Sequence, residues 1–260
     1  AEPGPACYGR GGTEPTVTDA NVVLGRVRGP LAGGVELDHE AAAKAVGALA
    51  TELGLSAEEC AEGIVRVADV EMLRALRVMT VEQGVDPRRF ALLAFGGAGP
   101  LHACALAEEL EIGTVLVPSA GGMLSALGLA AADRRTDTVR TVMATLGEDE
   151  VARPEGELDF DLRYRGQAHE LTVPDAEDLR GAFEALHEER YGYRDPDAAV
   201  EVVTVRATRR EPGPDVALGA AAERPAVTGP DVVELDGATV WVAPGWSGSW
   251  DHEGTLRLTR

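Results

Sequence analysis

With 260 residues, 45% of them hydrophobic and 26% charged, the chain has the make-up of a soluble globular protein with room for one large domain or two modest ones. Its formal net charge of −20, from 24 basic and 44 acidic residues, sets the surface against phosphate backbones and excludes general nucleic-acid binding. A small anion such as a nucleotide can still be held by backbone N–H groups and a metal ion.

No apolar run approaches the roughly 18 residues of a membrane span, and no basic stretch leads into an apolar one, so neither membrane insertion nor a secretory leader is expected. The cysteines Cys7, Cys60 and Cys104 are odd in number and lack C-x-x-C spacing, which points away from a disulfide framework and towards a reducing cytoplasm. Lys44 is the one lysine and sits in an alanine-rich helical run. The chain opens on Ala1 and a glycine- and proline-rich stretch, and further sequence is expected upstream of it.

In chain order, Pro3 to Pro15 reads as an irregular loop, and Thr18 or Asp19 as the cap of a short helix entering Val22-Val23-Leu24. A helix is expected from Asp38 to Leu53, stopped by Gly54. Ser56-Ala57-Glu58-Glu59 has the S-x-x-E form of a capping box. It opens a long helix, with Ile64, Val67, Ala68, Met72, Leu73, Leu76 and Met79 at helical spacing and Gly84 at its end.

The apolar run Phe90 to Phe95 predicts a strand buried on both faces. Glycines break it, Pro100 suits the first turn of a helix, and Leu101 to Leu110 reads as that helix. A strand at Thr114 to Val117, a loop at 119–122 and a helix at Met123 to Ala132 follow, which is α/β order. Beyond Asp133 strands dominate. They are expected at Asp137 to Leu146, in a hairpin from Leu158 to Val173, and at Ala199 to Thr208 after a helix at Asp175 to Tyr191. Residues 207–230 read as loop-rich, and Val232 to Arg260 as short strands around Pro244-Gly245-Trp246.

The sharpest feature is Phe95-Gly96-Gly97-Ala98-Gly99-Pro100, between strand and helix. Glycine lets the backbone approach a ligand, and the helix start directs N–H groups and dipole at it. This suits a nucleotide, although a ligand-free tight turn has the same residues. The loop is neither a Walker A motif nor G-x-G-x-x-G. His102, in the first turn of the helix, is open to metal ligation, anion donation, acid–base work or a structural role. Asp19, beside Thr18 and Asn21, suits a metal, a water or a plain helix cap. Cys7 is a nucleophile only where a neighbour lowers its pKa.

Taken together, Pro3 to Thr13, Pro15-Thr16-Val17-Thr18-Asp19-Ala20-Asn21, Leu24-Gly25-Arg26, Phe95 to Ala103 and Ser125-Ala126-Leu127-Gly128 resemble the hydantoinase A/oxoprolinase family. Its relatives include N-methylhydantoinase, 5-oxoprolinase and the acetone carboxylase beta subunit. Leu162-Arg163-Tyr164-Arg165-Gly166-Gln167 and Tyr191-Gly192-Tyr193 resemble the family's C-terminal module.

The resemblance implies an α/β fold. Residues 1–132 would be the C-terminal part of an ATPase-like domain, a partial lobe of the actin and sugar-kinase type. Residues 133–260 would be a smaller mixed α+β, β-rich module. It implies ATP with Mg²⁺ as cofactors, with Gly96, Gly97, Ala98 and Gly99 lining the nucleotide and Asp19 and His102 facing the reacting groups. The phosphate-gripping turns belong to an earlier part of the family sequence. An N-terminal domain or partner subunit and a hydantoinase B-type subunit are therefore the implied partners.

The implied activity is ATP-dependent opening of a cyclic amide such as 5-oxoproline or a hydantoin. An ATP-dependent ketone carboxylase subunit and a non-catalytic piece completing an ATPase lobe are the alternatives.

Overall fold

The computed structural model describes residues 2–31, 33–216 and 224–260, and the chain divides into two compact units. The first holds residues 1–128 and 217–260, the second Leu129–Val216. The division expected from sequence stood at 132/133. A single C-terminal module running on to residue 260 is not what forms: the tail rejoins the first unit. The loop expected at 207–230 lies partly outside the described residues, and its first part, to Glu211, is strand.

In the first unit, α1 (Val17–Val23) is capped by Thr16, whose hydroxyl accepts from the Asp19 N–H while the Asp19 carboxylate accepts from the Thr16 N–H. That is a capping box closed by an aspartate, so the cap, Thr16, lies two or three residues before the expected Thr18 or Asp19. Helix α2 (His39–Leu53) starts at Asp38, which accepts from the Ala41 N–H at 2.9 Å, and stops at Gly54, with φ +68°. Helix α3 (Ala57–Met79) opens on the capping box of Ser56 and Glu59. It buries Cys60, Ala61, Val65 and Leu73. Two members of the expected stripe, Val67 and Met79, are instead exposed. Small residues mark the contact face here, because α1, α2 and α3 pack on Ala20, Val46, Ala50, Cys60 and Ala61.

Strand β1 (Leu92–Leu93) pairs in parallel with β2 (Thr114–Val117), and α4 (Gly99–Glu109) lies between them in sequence. A 3-10 turn at Gly121–Met123 leads into α5 (Leu124–Ala131). The run Phe90 to Phe95 is not buried on both faces. β1 is an edge strand, and Phe90, Leu93 and Phe95 are exposed.

In the second unit, strands β3 (Arg134–Thr145), β4 (Glu157–Tyr164), β5 (Leu171–Pro174) and β6 (Val200–Glu211) form a sheet in the order β3-β6-β4-β5. The expected hairpin is the antiparallel β4–β5 pair, with Phe160 opposite Val173. Helix α6 (Leu179–Tyr191) buries Leu179 and Phe183 in the core built on Phe160, Leu162 and Val202.

The tail supplies β7 (Val227–Thr228), β8 (Asp231–Leu235), β9 (Ala238–Val242), β10 (Ser247–Trp250) and β11 (Leu256–Thr259). β11 pairs antiparallel with β2, Leu256 opposite Val117, completing a sheet ordered β1-β2-β11-β10-β7. β8 and β9 form a separate hairpin. The shared core joins Cys104 and Leu106 of α4, Val115 and Val117 of β2, Leu256 and Leu258 of β11, and Trp246. Trp246 is fully buried, and its indole N–H donates to Glu108 at 2.7 Å.

Candidate functional site

Two glycine-rich turns and the β8–β9 hairpin meet at the start of α4. Gly96 has φ +81°, a conformation that favours glycine, and its N–H donates to the Gly121 carbonyl at 2.8 Å. The Thr239 N–H donates to the Gly97 carbonyl at 3.2 Å. A Cβ on Gly97 would sit 3.5 Å from the Gly237 carbonyl oxygen, and one on Gly122 would run into that same carbonyl. The hairpin turn is thus seated on backbone, against glycines of both turns.

That packing makes Gly122→Ala disruptive, because no flexible side chain is available to give way. The expected cost is about 1–3 kcal/mol. It would be read as a lower urea midpoint at unchanged slope. A midpoint equal to the parent's would show that the hairpin is not seated there.

Between these elements lies a cavity of about 310 Å³. Gly97, Ala98, Leu101 and His102 form one wall, and Val17, Thr18 and Asn21 of α1 another. Glu234, Leu235, Gly237, Ala238 and Thr239 of the hairpin close the third side, and Tyr8, Val27 and Leu31 add apolar surface. Helix α4 has no side-chain cap at Ala98; Pro100 lacks an N–H and the Leu101 N–H donates to the Ala98 carbonyl at 3.0 Å, so what the helix start offers this wall is mainly its positive dipole end.

Two polar side chains stand out. His102 is buried in the first turn of α4, and its Nδ1 lies 2.6 Å from the Asp69 carboxylate on α3. Asn21 is 1% exposed; its amide donates to the Val17 carbonyl, and its Oδ1 is a sealed acceptor with no hydrogen-bond partner among the described residues. Asn21 contributes to the cavity lining, but this oxygen is closed off from it.

Of the site residues expected from sequence, His102, Gly97 and Ala98 line the cavity, and Gly96 and Gly99 shape the turn beside it. Asp19 does not face the cavity. It is completely buried, and its carboxylate accepts from the Ala6, Cys7 and Thr16 N–H groups and the Thr16 hydroxyl. Its task is to pin the 3-10 turn Ala6–Tyr8 to the start of α1. Burial pushes the Asp19 carboxyl up, but the hydrogen bonds from Cys7 and Thr16 outweigh it and hold the pKa below the usual carboxylate value.

Cys7 is not an activated nucleophile. Burial first, then the Asp19 carboxylate beside it, pushes the thiol up to about 12, so it stays protonated.

Sequence reasoning missed Asp69, Asn21 and the hairpin residues Glu234 to Thr239. Asn21 stood inside a recognised block but carried no sign of its unpaired oxygen. Asp69 lies 33 residues from its partner, on a helix of many charges.

Against known proteins, the model of the family described as Hydantoinase/oxoprolinase matches residues 1–138. The chain belongs to the hydantoinase/oxoprolinase family. An uncharacterized protein of Methanocaldococcus jannaschii is 36% identical over all of this chain and 47% of its own length. The caprolactamase subunit alpha of Pseudomonas jessenii is 32% identical over all of this chain and 48% of its own length. The 5-oxoprolinase PfmaA of Pestalotiopsis fici is 34% identical over 80% of this chain and 19% of its own. The chain therefore spans about half, or less, of the relatives it matches.

Among solved structures, a nucleotide-free acetone carboxylase superposes at TM-score 0.82 and 22% identity, covering 98% of this chain and 48% of that one. The ATP-dependent caprolactamase of Pseudomonas jessenii superposes at TM-score 0.62 and 30% identity, covering 100% and 48%. This hydantoinase/oxoprolinase chain thus has the mixed α/β fold of those enzymes, and its relatives include enzyme subunits. No helix among its described residues is long and apolar enough to cross a membrane.

Proposed function

We propose that the chain is the C-terminal part of an ATP-dependent cyclic-amide hydrolase, with the α4 cavity as its ligand site. The observation that carries this reading is the juxtaposition of the glycine turn, the uncapped start of α4 and the His102 ring around one cavity. A secondary cyclic amide presents an N–H and a carbonyl on one edge of its ring. The positive dipole end of α4 suits the carbonyl or a carboxylate, and the His102 ring is a partner for a polar group beside it. The hairpin and Leu101 keep bulk water from the wall they cover.

The residues present fit part of ATP. The glycine turn at 96–99 permits close approach of a flat or ribose surface, and a cavity of about 310 Å³ takes a group of that size. Gly97 and Ala98 would border the nucleoside, and Glu234 is an acceptor for its hydroxyl or amino groups. No three acidic, histidine or cysteine side chains gather as a metal cluster among the described residues. Mg²⁺ would therefore come with the nucleotide, whose phosphates supply much of its coordination. When bound, ATP supplies the activation that turns an amide oxygen into a leaving group. The phosphate-gripping turns, in this reading, belong to an N-terminal portion resembling the rest of an actin-like lobe, and a second subunit completes the enzyme.

Similarity to the acetone carboxylase beta subunit of Xanthobacter autotrophicus, 37% identical over 49% of this chain, favours a second reading as a ketone carboxylase component. One assay separates the readings: ATP turnover by the intact protein with 5-oxoproline, caprolactam or hydantoin, against acetone with bicarbonate. Turnover stimulated by a cyclic amide without bicarbonate is expected. A requirement for both ketone and bicarbonate would establish the carboxylase reading, and no stimulation by either would leave a non-catalytic role.

A further inference from the structure

His102 reaches the cavity through a ring that is already held on its other side. Nδ1 lies 2.6 Å from Asp69 Oδ1, and the two side chains are 6% and 19% exposed. A carboxylate only accepts, so Nδ1 carries the hydrogen. Nε2 has no partner among the described residues, yet it is not among their sealed atoms, of which Asn21 Oδ1 alone lacks a partner. With His102 in the cavity wall, Nε2 is the nitrogen open to a ligand.

A third group completes the arrangement. Arg26, stacked over the Trp241 ring at 5.0 Å, lies within Coulombic reach of Asp69 and of Glu62. The carboxylate behind the histidine is thus largely withdrawn from solvent, with a positive charge nearby.

We propose that Asp69 is a positioning residue: it fixes His102 as the Nδ1–H tautomer and turns the lone pair of Nε2 towards the cavity. This rests on the cyclic-amide reading of the site for its chemistry, but not for its geometry. In that chemistry Nε2 takes a proton from a water as the water oxygen bonds to the amide carbon. The O–H bond breaks, the N–H bond forms, and, with the amide oxygen activated as a leaving group, the C=N π pair at that carbon moves onto the ring nitrogen. The imidazolium so formed keeps its Nδ1–H on Asp69, whose charge offsets the new one. A histidine left free to adopt the other tautomer would present a donor to the water and could not take its proton.

The test is Asp69→Asn in the intact protein, with ¹⁵N-histidine NMR reporting which ring nitrogen is protonated and His102→Gln assigning the signal. The parent is expected to show the Nδ1–H form at a pH where the ring is neutral. Asp69→Asn should lose that preference, because an amide can donate to Nδ1, and kcat should fall about 10²–10⁴-fold with KM little changed. Asp69→Glu, which keeps the carboxylate, should restore the Nδ1–H signature.

An Nε2–H form in the parent overturns the proposal even if the variants fail to fold. So does an Asp69→Asn protein that keeps both its tautomer and its kcat. A tautomer change in a protein with no amide-stimulated ATP turnover would leave the positioning role standing and remove the hydrolase reading.

Discussion

Asp19→Ala is expected to destabilise the first unit by about 3–5 kcal/mol. The carboxylate is fully buried and accepts four hydrogen bonds, from the N–H groups of Ala6, Cys7 and Thr16 and from the Thr16 hydroxyl. Each donor left unpaired in the interior costs about 1–3 kcal/mol, and losses on one carboxylate are not additive. At about 2–4 °C per kcal/mol, the melting temperature should drop by about 6–20 °C. Asp19→Asn should do nearly as badly, because its amide nitrogen would face donors.

The same group sets a pH dependence. Its folded-state pKa is depressed below the ordinary value near 3.8. The stability it contributes is therefore fully present above that value and is lost as pH falls through the folded pKa. In the parent, part of the stability should disappear below about pH 4. In Asp19→Ala that part of the acid transition should be gone. A variant that melts with the parent at pH 7 would show that the carboxylate is not a structural tie, and would return Asp19 to the list of reacting groups.

How much of this was legible beforehand depended on how local each cause is. The Ser56–Glu59 capping box, the Gly54 stop and the strand Thr114–Val117 are written in a few consecutive residues, and they formed where expected. The apolar run Phe90 to Phe95 misled because hydrophobicity does not say whether a strand is central. With a neighbour on only one side, β1 leaves Phe90, Leu93 and Phe95 exposed.

The tail misled for the opposite reason. Leu256-Arg257-Leu258-Thr259 alternates as any half-buried strand does, and nothing in that period names β2 as its partner. Pairing across more than a hundred residues is decided by the core both strands bury, here Val115 and Val117 with Leu256, Leu258 and Trp246. The glycine turn shows both sides at once. Its residues announced close backbone approach, and part of that approach is to Gly237 of the same chain. The remainder faces the cavity, and only the fold could divide the two.

His102 carries the largest expected effect on activity. It is the one ionisable side chain of the cavity wall on α4, it sits at the uncapped helix start, and its second nitrogen is free for a ligand. Proton transfer by a positioned side chain contributes about 10²–10⁴-fold to a rate. His102→Gln is expected to cost that factor in kcat for amide-stimulated ATP turnover. The ring is buried, so a loss of fold must be separated from a loss of chemistry. Glutamine keeps polar atoms near Asp69 and approximate volume, and the urea midpoint of the variant measures what remains of the packing.

Binding should change far less than turnover, because the glycine turn and Asn21, which line the cavity apart from this ring, are untouched. An unchanged kcat in a well-folded His102→Gln protein would assign the histidine to structure and move the chemistry elsewhere in the enzyme. A fall in kcat with KM near the parent's would place the proton transfer at Nε2.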